Sequence, residues 1–217
     1  MAKRRSALTI GKWLLAGALA LVAYPGLQYS AMLRDMDLAA SAYSQGDLEG
    51  ALKIYDGIES RLRAHGAMRL IPGRDRQTLL LNEARLLYAL NRYDEATDRL
   101  QKEDEISGIA TDGRFFLLRG DITFRRALEE YRKPRGPVMD VSHLAEDLNL
   151  LKEGLTKAEE SYRESLQLNP NDWDAKYNYE LANGMQKALG ESVDENVKVL
   201  KEGELAPTAA LPPELVG

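Results

Sequence analysis

The sequence contains no cysteine and only two histidines, His65 and His143, among its 217 residues. Without cysteine the chain has no disulfides, no thiolate nucleophiles and no metal sites built from thiolates. Neither histidine has a second histidine one helical turn away, and Asp147, four residues after His143, is a lone carboxylate. A histidine beside a helix end is usually a cap or a surface group. We therefore expect no metal site and no bound cofactor.

Motifs that support catalysis are missing as well. The chain has no phosphate-binding loop of the GxxxxGK[ST] or GxGxxG type. Its adjacent carboxylates, such as Glu129-Glu130, diverge by about 100° on a helix and so do not face one substrate. Asp35-Met36-Asp37 is not followed by the glycine and late glutamate of a calcium loop. The sequence predicts that the protein is not an enzyme.

Strand patterns are also scarce. No run of Val, Ile and Thr alternates with polar residues, whereas residues 76–89 place their leucines at helical spacing. The composition, 44% hydrophobic and 29% charged, is that of a folded protein. These features predict an all-α fold.

The most informative segment is residues 158–182. Ala158, Tyr162 and Ser165 fall at i, i+4 and i+7 on one helix face, which predicts close contact with a neighbouring helix. Pro170 ends this helix by restricting the residue before it, and Asp172 offers N-cap chemistry for the next helix. The segment is predicted to be a helix, a tight turn and an antiparallel helix.

The same spacing recurs earlier in the chain. Turns are predicted at Gly46-Asp47 and at Asn91-Arg92. After the predicted helix contact at Gly120, the prolines of residues 133–137 delay the following helix until about Ser142. The small and apolar positions that repeat are Ala39, Ala42, Ala51, Tyr55 and Ile58 in one copy, and Ala84, Ala96 and Leu100 in another.

A small residue, an aromatic, a small residue and a proline at these spacings resemble the tetratricopeptide repeat of about 34 residues. The resemblance implies a short array of helical hairpins over residues 34–203, followed by a flexible Pro/Ala-rich tail at 204–217. It also implies a concave surface that binds a protein partner, although each inward position could equally be an ordinary exposed helix residue. The partner-binding candidates carried over are Arg85, Tyr88, Arg114, Asp121, Arg125, Tyr177 and Asn178.

The other strong feature is a basic segment followed by an apolar run. Residues 1–12 carry four basic side chains and no acidic one, and residues 13–33 carry no charge. Such a run is long enough to cross a bilayer, with the basic side in the cytoplasm. We expect a transmembrane helix at 13–33. A signal peptide cleaved near Ala18-Leu19-Ala20 and a buried core helix remain alternatives.

Charge restricts the partners of the remaining chain. Taking the four positive charges of residues 1–12 out of the net charge of −5 leaves −9 on the body. An acidic body argues against binding DNA or RNA. Met68, Leu70 and Ile71 are apolar residues in a predicted linker, as are Val138 and Met139 in a second one. Either they contact a partner or they cover the edge of the helical stack.

A membrane helix before an acidic repeat body is similar to bacterial proteins encoded beside MoxR-type ATPases and von Willebrand factor A proteins. Among them the chain resembles the MxaK group of methanol-oxidation accessory proteins. The resemblance implies a scaffold or assembly factor at the bacterial inner membrane, with a periplasmic body. Its partners would be von Willebrand factor A proteins or a periplasmic metal-dependent dehydrogenase. The alternatives are an ancillary chaperone of the secretion translocon and a structural subunit of a larger membrane enzyme.

Overall fold

The chain is built of helices throughout the part that the structure describes. This computed structural model describes residues 2–101, 111–133 and 141–191, without the side chains of 2–11, 14, 20–22, 141–145 and 190–191. No strand occurs within these ranges, so the predicted all-α class is confirmed. The helices are α1 (Ala2–Ser44), α2 (Leu48–Ala64), a short 3-10 helix (Ala67–Leu70), α3 (Gly73–Ala89), α4 (Tyr93–Gln101), α5 (Gly113–Arg132), α6 (Val141–Leu168) and α7 (Trp173–Glu191).

Several predicted features lie outside the described residues. They are the tail at 204–217, the last part of the predicted repeat region at 192–203, the linker residues Val138 and Met139, and the side chains of the basic cluster before residue 12 and of His143.

The described residues form two compact units, the first ending at Arg76 and the second beginning at Gln77. The first unit is built on an antiparallel pair, α1 and α2, joined by the predicted Gly46-Asp47 turn. Gly46 has φ +83°, which glycine adopts at little cost, and the Asp47 carboxylate accepts a hydrogen bond from the Gly50 amide at 2.8 Å. Farther along the pair, Arg61 and Asp35 form an ion pair at 2.7 Å.

Helix α1 is continuous from Ala2 to Ser44 and runs through Pro25. Its last turns pack in the first unit, where Met32 and Ala39 are fully buried. Tyr29 donates a hydrogen bond to Asp75 at 2.9 Å. Among the described residues, no helix combines the length and the apolarity that crossing a membrane requires.

The second unit begins with the antiparallel pair α3 and α4. The predicted turn at Asn91-Arg92 is confirmed, because α3 ends at Ala89, α4 begins at Tyr93, and Asn91 adopts a left-handed conformation with φ +59°. Asparagine tolerates this conformation better than most residues. Ala84 and Ala96 are both fully buried, as the repeat pattern predicts.

Helices α5 and α6 pack antiparallel at very short range. Near one end, Ser165 Oγ donates a hydrogen bond to the Gly113 carbonyl at 2.8 Å. At the other end, a Cβ built on Gly154 would lie 2.4 Å from that of Ala127. Ala158, between these contacts, is fully buried in the core of the unit. The predicted close contact is therefore confirmed, and the insertion after α5 delays α6 to Val141.

The turn between α6 and α7 also forms as predicted. Helix α6 ends at Leu168, and α7 begins at Trp173. Asp172 caps α7, its carboxylate accepting a hydrogen bond from the Ala175 amide at 3.0 Å. Ala175, Ala182 and Met185 then bury one face of α7 in the core that α5 and α6 form.

Candidate protein-interaction site

A buried carboxylate joins three helices of the second unit. Asp121 on α5 has no solvent exposure. Its Oδ1 accepts a hydrogen bond from the Tyr162 hydroxyl on α6 at 3.1 Å and another from the Asn178 side-chain amide on α7 at 2.9 Å. Both donors are themselves fully buried. A buried carboxylate needs such partners, since desolvation without them costs several kcal/mol.

The network extends to α3 through Tyr88. Arg125, one turn after Asp121, interacts with the Tyr88 hydroxyl and lowers its pKa. The pKa of Tyr88 is nevertheless raised, because burial and the negative charge of Asp121 outweigh the effect of Arg125. The pKa of Tyr162 is raised much further, since this phenol is almost fully buried and hydrogen-bonded to Asp121. Both hydroxyls are neutral at physiological pH.

Four of the seven predicted contact residues therefore come together: Tyr88, Asp121, Arg125 and Asn178. Asp121 and Asn178 are fully buried, so they act as packing groups and not as a surface for a partner. The other three are Arg85, Arg114 and Tyr177. Arg85 is half-buried on α3.

Arg114 is bound to its neighbour Asp112 at 2.8 Å, where that carboxylate also caps α5. Tyr177 lies on the outer face of α7 with 51% of its surface exposed. The structure brings part of the set together, but the resemblance does not distinguish buried positions from accessible ones.

An accessible groove lies elsewhere in the second unit, between α4, α5 and α6. Its volume is about 580 Å³, and Thr97, Thr123, Tyr131 and Lys157 are among its lining residues. A neighbouring recess of about 270 Å³ shares Thr97 and Thr123 and extends to Arg119. None of the seven predicted residues lines either space.

The groove carries charges of both signs, and several of them are paired nearby. Arg126 pairs with Asp94 at 3.0 Å, and Lys157 pairs with Glu153 at 2.6 Å. Hydroxyl groups from Thr97 and Thr123 lie among them. Such a lining favours hydrogen bonding to a polypeptide over selection of one strongly charged ligand. Sequence analysis missed the groove because these residues occupy ordinary exposed helix positions.

Arg119 forms the far end of the recess. Its guanidinium lies 4.7 Å from the centre of the Phe116 ring, donates a hydrogen bond to Ser161 at 3.1 Å and pairs with Glu164 on α6. These contacts fix an arginine at a point where α5 meets α6. Since its charge is shared with Glu164, Arg119 shapes the recess more than it attracts an anion.

A buried ion pair connects α3 with α4. Glu83 is 1% exposed and Arg99 is 9% exposed, and the Arg99 guanidinium donates a hydrogen bond to the Glu83 carboxylate. Sequence analysis did not predict this pair. The available signal was Glu83 itself, an acidic residue within the apolar run at residues 79–87.

The predicted linker with Met68, Leu70 and Ile71 was expected either to contact a partner or to cover the edge of the helical stack. Residues 67–70 form a 3-10 helix, and Ala67 and Ile71 are buried, so part of the linker covers the first unit. Leu70 is 58% exposed and remains available for contact. Within the described ranges, no group of three or more His, Asp or Glu residues is arranged to hold a metal ion.

Comparison with known proteins provides no further constraint: no family model, no curated protein and no solved structure matches this chain.

Proposed function

We propose that this protein is a membrane-anchored, non-catalytic scaffold or assembly factor, in which tetratricopeptide-like helical hairpins bind a partner protein. The main support is the division of α1 into two parts. Its second half packs in the first unit, with Met32 fully buried. Its first half has exposed apolar side chains, with Trp13 at 75% and Leu15 at 63%. Exposed apolar surface of this kind requires a membrane or a partner.

The packing of α1 suggests where the anchor ends. The Tyr24 ring lies edge-on to His65, with centroids 6.5 Å apart, and Tyr29 is hydrogen-bonded to Asp75. Leu27 is the last strongly exposed apolar residue before Tyr29, at 68%. A membrane-spanning helix needs about 20 residues, so one that ends at Leu27 would begin near Leu8. The proposed anchor is thus displaced from the sequence prediction of 13–33 toward the basic cluster.

The groove between α4, α5 and α6 is the proposed partner surface. It is open, combines polar with apolar side chains, and carries charges of both signs. A peptide segment or helix of another protein suits it better than a nucleic acid, because the body of the chain is acidic. Anchoring raises the effective concentration of weak contacts, which is how a scaffold without high-affinity pockets assembles its partners.

The resemblance to the MxaK group supplies the proposed context. The basic cluster would stay in the cytoplasm and the body would face the periplasm. There it would hold von Willebrand factor A proteins or a periplasmic metal-dependent dehydrogenase during maturation. It would bind no metal of its own.

Membrane anchoring is tested by alkaline carbonate extraction of membranes that contain the full chain. The chain should remain in the membrane pellet, and a variant carrying Leu15→Asp and Leu19→Asp should move to the supernatant. Leu38→Asp is the matched control, because Leu38 is an exposed leucine on the packed half of the same helix. Extraction of the unmodified chain, or equal release of both variants, would exclude the anchor.

Partner binding is tested by affinity purification of the full chain in mild detergent. Thr123→Trp fills the groove, whereas Thr156→Trp places the same side chain on an exposed part of α6. The two threonines are matched, since each donates to the carbonyl four residues earlier. Only Thr123→Trp should reduce partner recovery. Recovery of translocon subunits, or of a salt-resistant multisubunit oxidoreductase, would overturn the proposed partners in favour of one of the alternatives.

A further inference from the structure

The outer face of α7 exposes two large aromatic side chains and a glycine. Trp173 is 78% exposed and Tyr177 is 51% exposed, and they stand one turn apart on the same side of the helix. Gly184 lies on this side two turns after Tyr177, and a Cβ added there would have nothing within 4 Å. The buried residues Ala175, Ala182 and Met185 are on the opposite side.

Gly184 is unfavourable for α7 taken alone. A glycine inside a helix destabilises it by about 1 kcal/mol relative to alanine, and here no neighbour occupies the space that a side chain would fill. Elsewhere the chain uses helical glycine for close contact, as at Gly120, where the Tyr162 ring leaves no room for a Cβ. An aromatic side chain placed over Gly184 would repeat that contact.

We propose that the occupant of this face is α7 of a second copy of the chain, antiparallel and related by a two-fold axis. If the axis crosses α7 at the level of Asn178 along the helix, Trp173 of each copy lies opposite Gly184 of the other. The two Tyr177 side chains then meet close to the axis. The face is therefore self-complementary, as a two-fold interface must be. A parallel arrangement would instead place Trp173 against Trp173 and Gly184 against Gly184. The two tryptophans would then be overpacked, and the two glycines would leave a cavity.

Charge supports the same register. Lys176 and Glu180 are one turn apart along one edge of the face. The antiparallel pairing brings Lys176 of each copy beside Glu180 of the other. Two equivalent Lys–Glu ion pairs therefore form, one on each side of the two-fold axis. In the single chain Lys176 lies 4.8 Å from the centre of the Trp173 ring, already at the edge of the proposed contact. One helix face is a small interface, so the association should be weak and concentration-dependent.

Cysteine cross-linking tests the pairing, and the chain has no cysteine of its own to complicate it. Full chain carrying Tyr177→Cys, in detergent under mild oxidation, should form a disulfide-linked dimer. Lys187→Cys lies on the same exposed side of α7 but should not cross-link, because the helical rise puts the two Lys187 positions about 25 Å apart. Capture at Tyr177→Cys alone would support the antiparallel register. Cross-linking at both positions would overturn it in favour of a parallel pair.

Charge exchange provides a second measurement that does not depend on oxidation. Lys176→Glu should weaken dimer formation in sedimentation velocity, and adding Glu180→Lys should restore it, while thermal unfolding shows that all variants are folded. A monomer throughout, without cross-linking at Tyr177→Cys, would overturn the proposal and leave residues 192–217 or a different protein as the occupant of the face.

Discussion

Tyr162 lies directly against Gly120 across the contact between α5 and α6: a Cβ built on Gly120 would be 2.5 Å from the Tyr162 Cε1 atom. No real Cβ contact is that short, so the aromatic ring occupies the space that a side chain at Gly120 would need. The same ring delivers its hydroxyl to Asp121, the residue after Gly120. The Tyr162 side chain therefore sets the distance between α5 and α6 and also donates a hydrogen bond to the buried Asp121 carboxylate.

Gly120→Ala should destabilise the protein. The added methyl group forces the Tyr162 ring or α5 to move, and overpacking of this kind costs about 1–3 kcal/mol. Denaturant unfolding followed by circular dichroism measures the change. Gly57→Ala is the control, because Gly57 is an exposed helical glycine with nothing within 4 Å, and alanine there should stabilise by up to about 1 kcal/mol. Equal effects of the two substitutions would contradict the close contact.

The contact at Gly120 and the three predicted turns could be derived from sequence because their signals are local. Gly46, Asn91 and Pro170 each mark a backbone conformation that few other residues accept. Small residues at helical spacing mark a close approach whatever the partner helix is. These signals mark the turns between α1 and α2, between α3 and α4, and between α6 and α7.

The Asp121 network and the groove could not be derived in this way. Asp121 is buried only because α5, α6 and α7 converge on it. The spacing of residues within one helix does not predict such a convergence. The linear pattern likewise cannot tell that Tyr177 is exposed while Asn178, the next residue, is buried. Proline usually ends a helix, so the sequence also does not predict that α1 continues through Pro25, where the loss of one hydrogen bond is tolerated in a long helix.

The difference in stability between the wild type and Tyr162→Phe should depend on pH. At neutral pH the variant loses a buried hydrogen bond to a carboxylate, which costs about 1.5–3 kcal/mol. Because the pKa of Tyr162 is raised in the folded state, only the unfolded protein ionises this phenol above pH ~10, and the wild type then loses stability as pH rises. Phenylalanine cannot ionise. The difference between the two proteins should therefore narrow above pH ~10, and a constant difference from pH 8 to 11 in urea unfolding would refute this account.

Substitutions at Glu83 and Arg99 should have strongly non-additive effects on the free energy of unfolding, because the two side chains form a buried ion pair. Arg99→Met leaves the Glu83 carboxylate buried without its ion-pair partner and should cost about 3–5 kcal/mol. Replacing both residues with methionine removes the buried charges together and should recover most of that loss. A double-mutant cycle from chemical denaturation gives the coupling energy. Additive losses would mean that the two side chains contribute independently.

Asn178→Ala should loosen α7 selectively. The substitution removes the hydrogen bond that the Asn178 side-chain amide donates to Asp121 Oδ1 at 2.9 Å, and the one from the Tyr162 hydroxyl remains. The buried carboxylate then favours water entry between α5 and α7, so local opening of α7 becomes easier than global unfolding. Hydrogen exchange measured by mass spectrometry should show faster exchange in peptides from 173–189 than in peptides from α1 and α2. Lys187→Ala, an exposed change in the same helix, should leave the exchange of α7 near wild type. Uniform acceleration along the whole chain would instead assign Asn178 to global stability and not to the docking of α7.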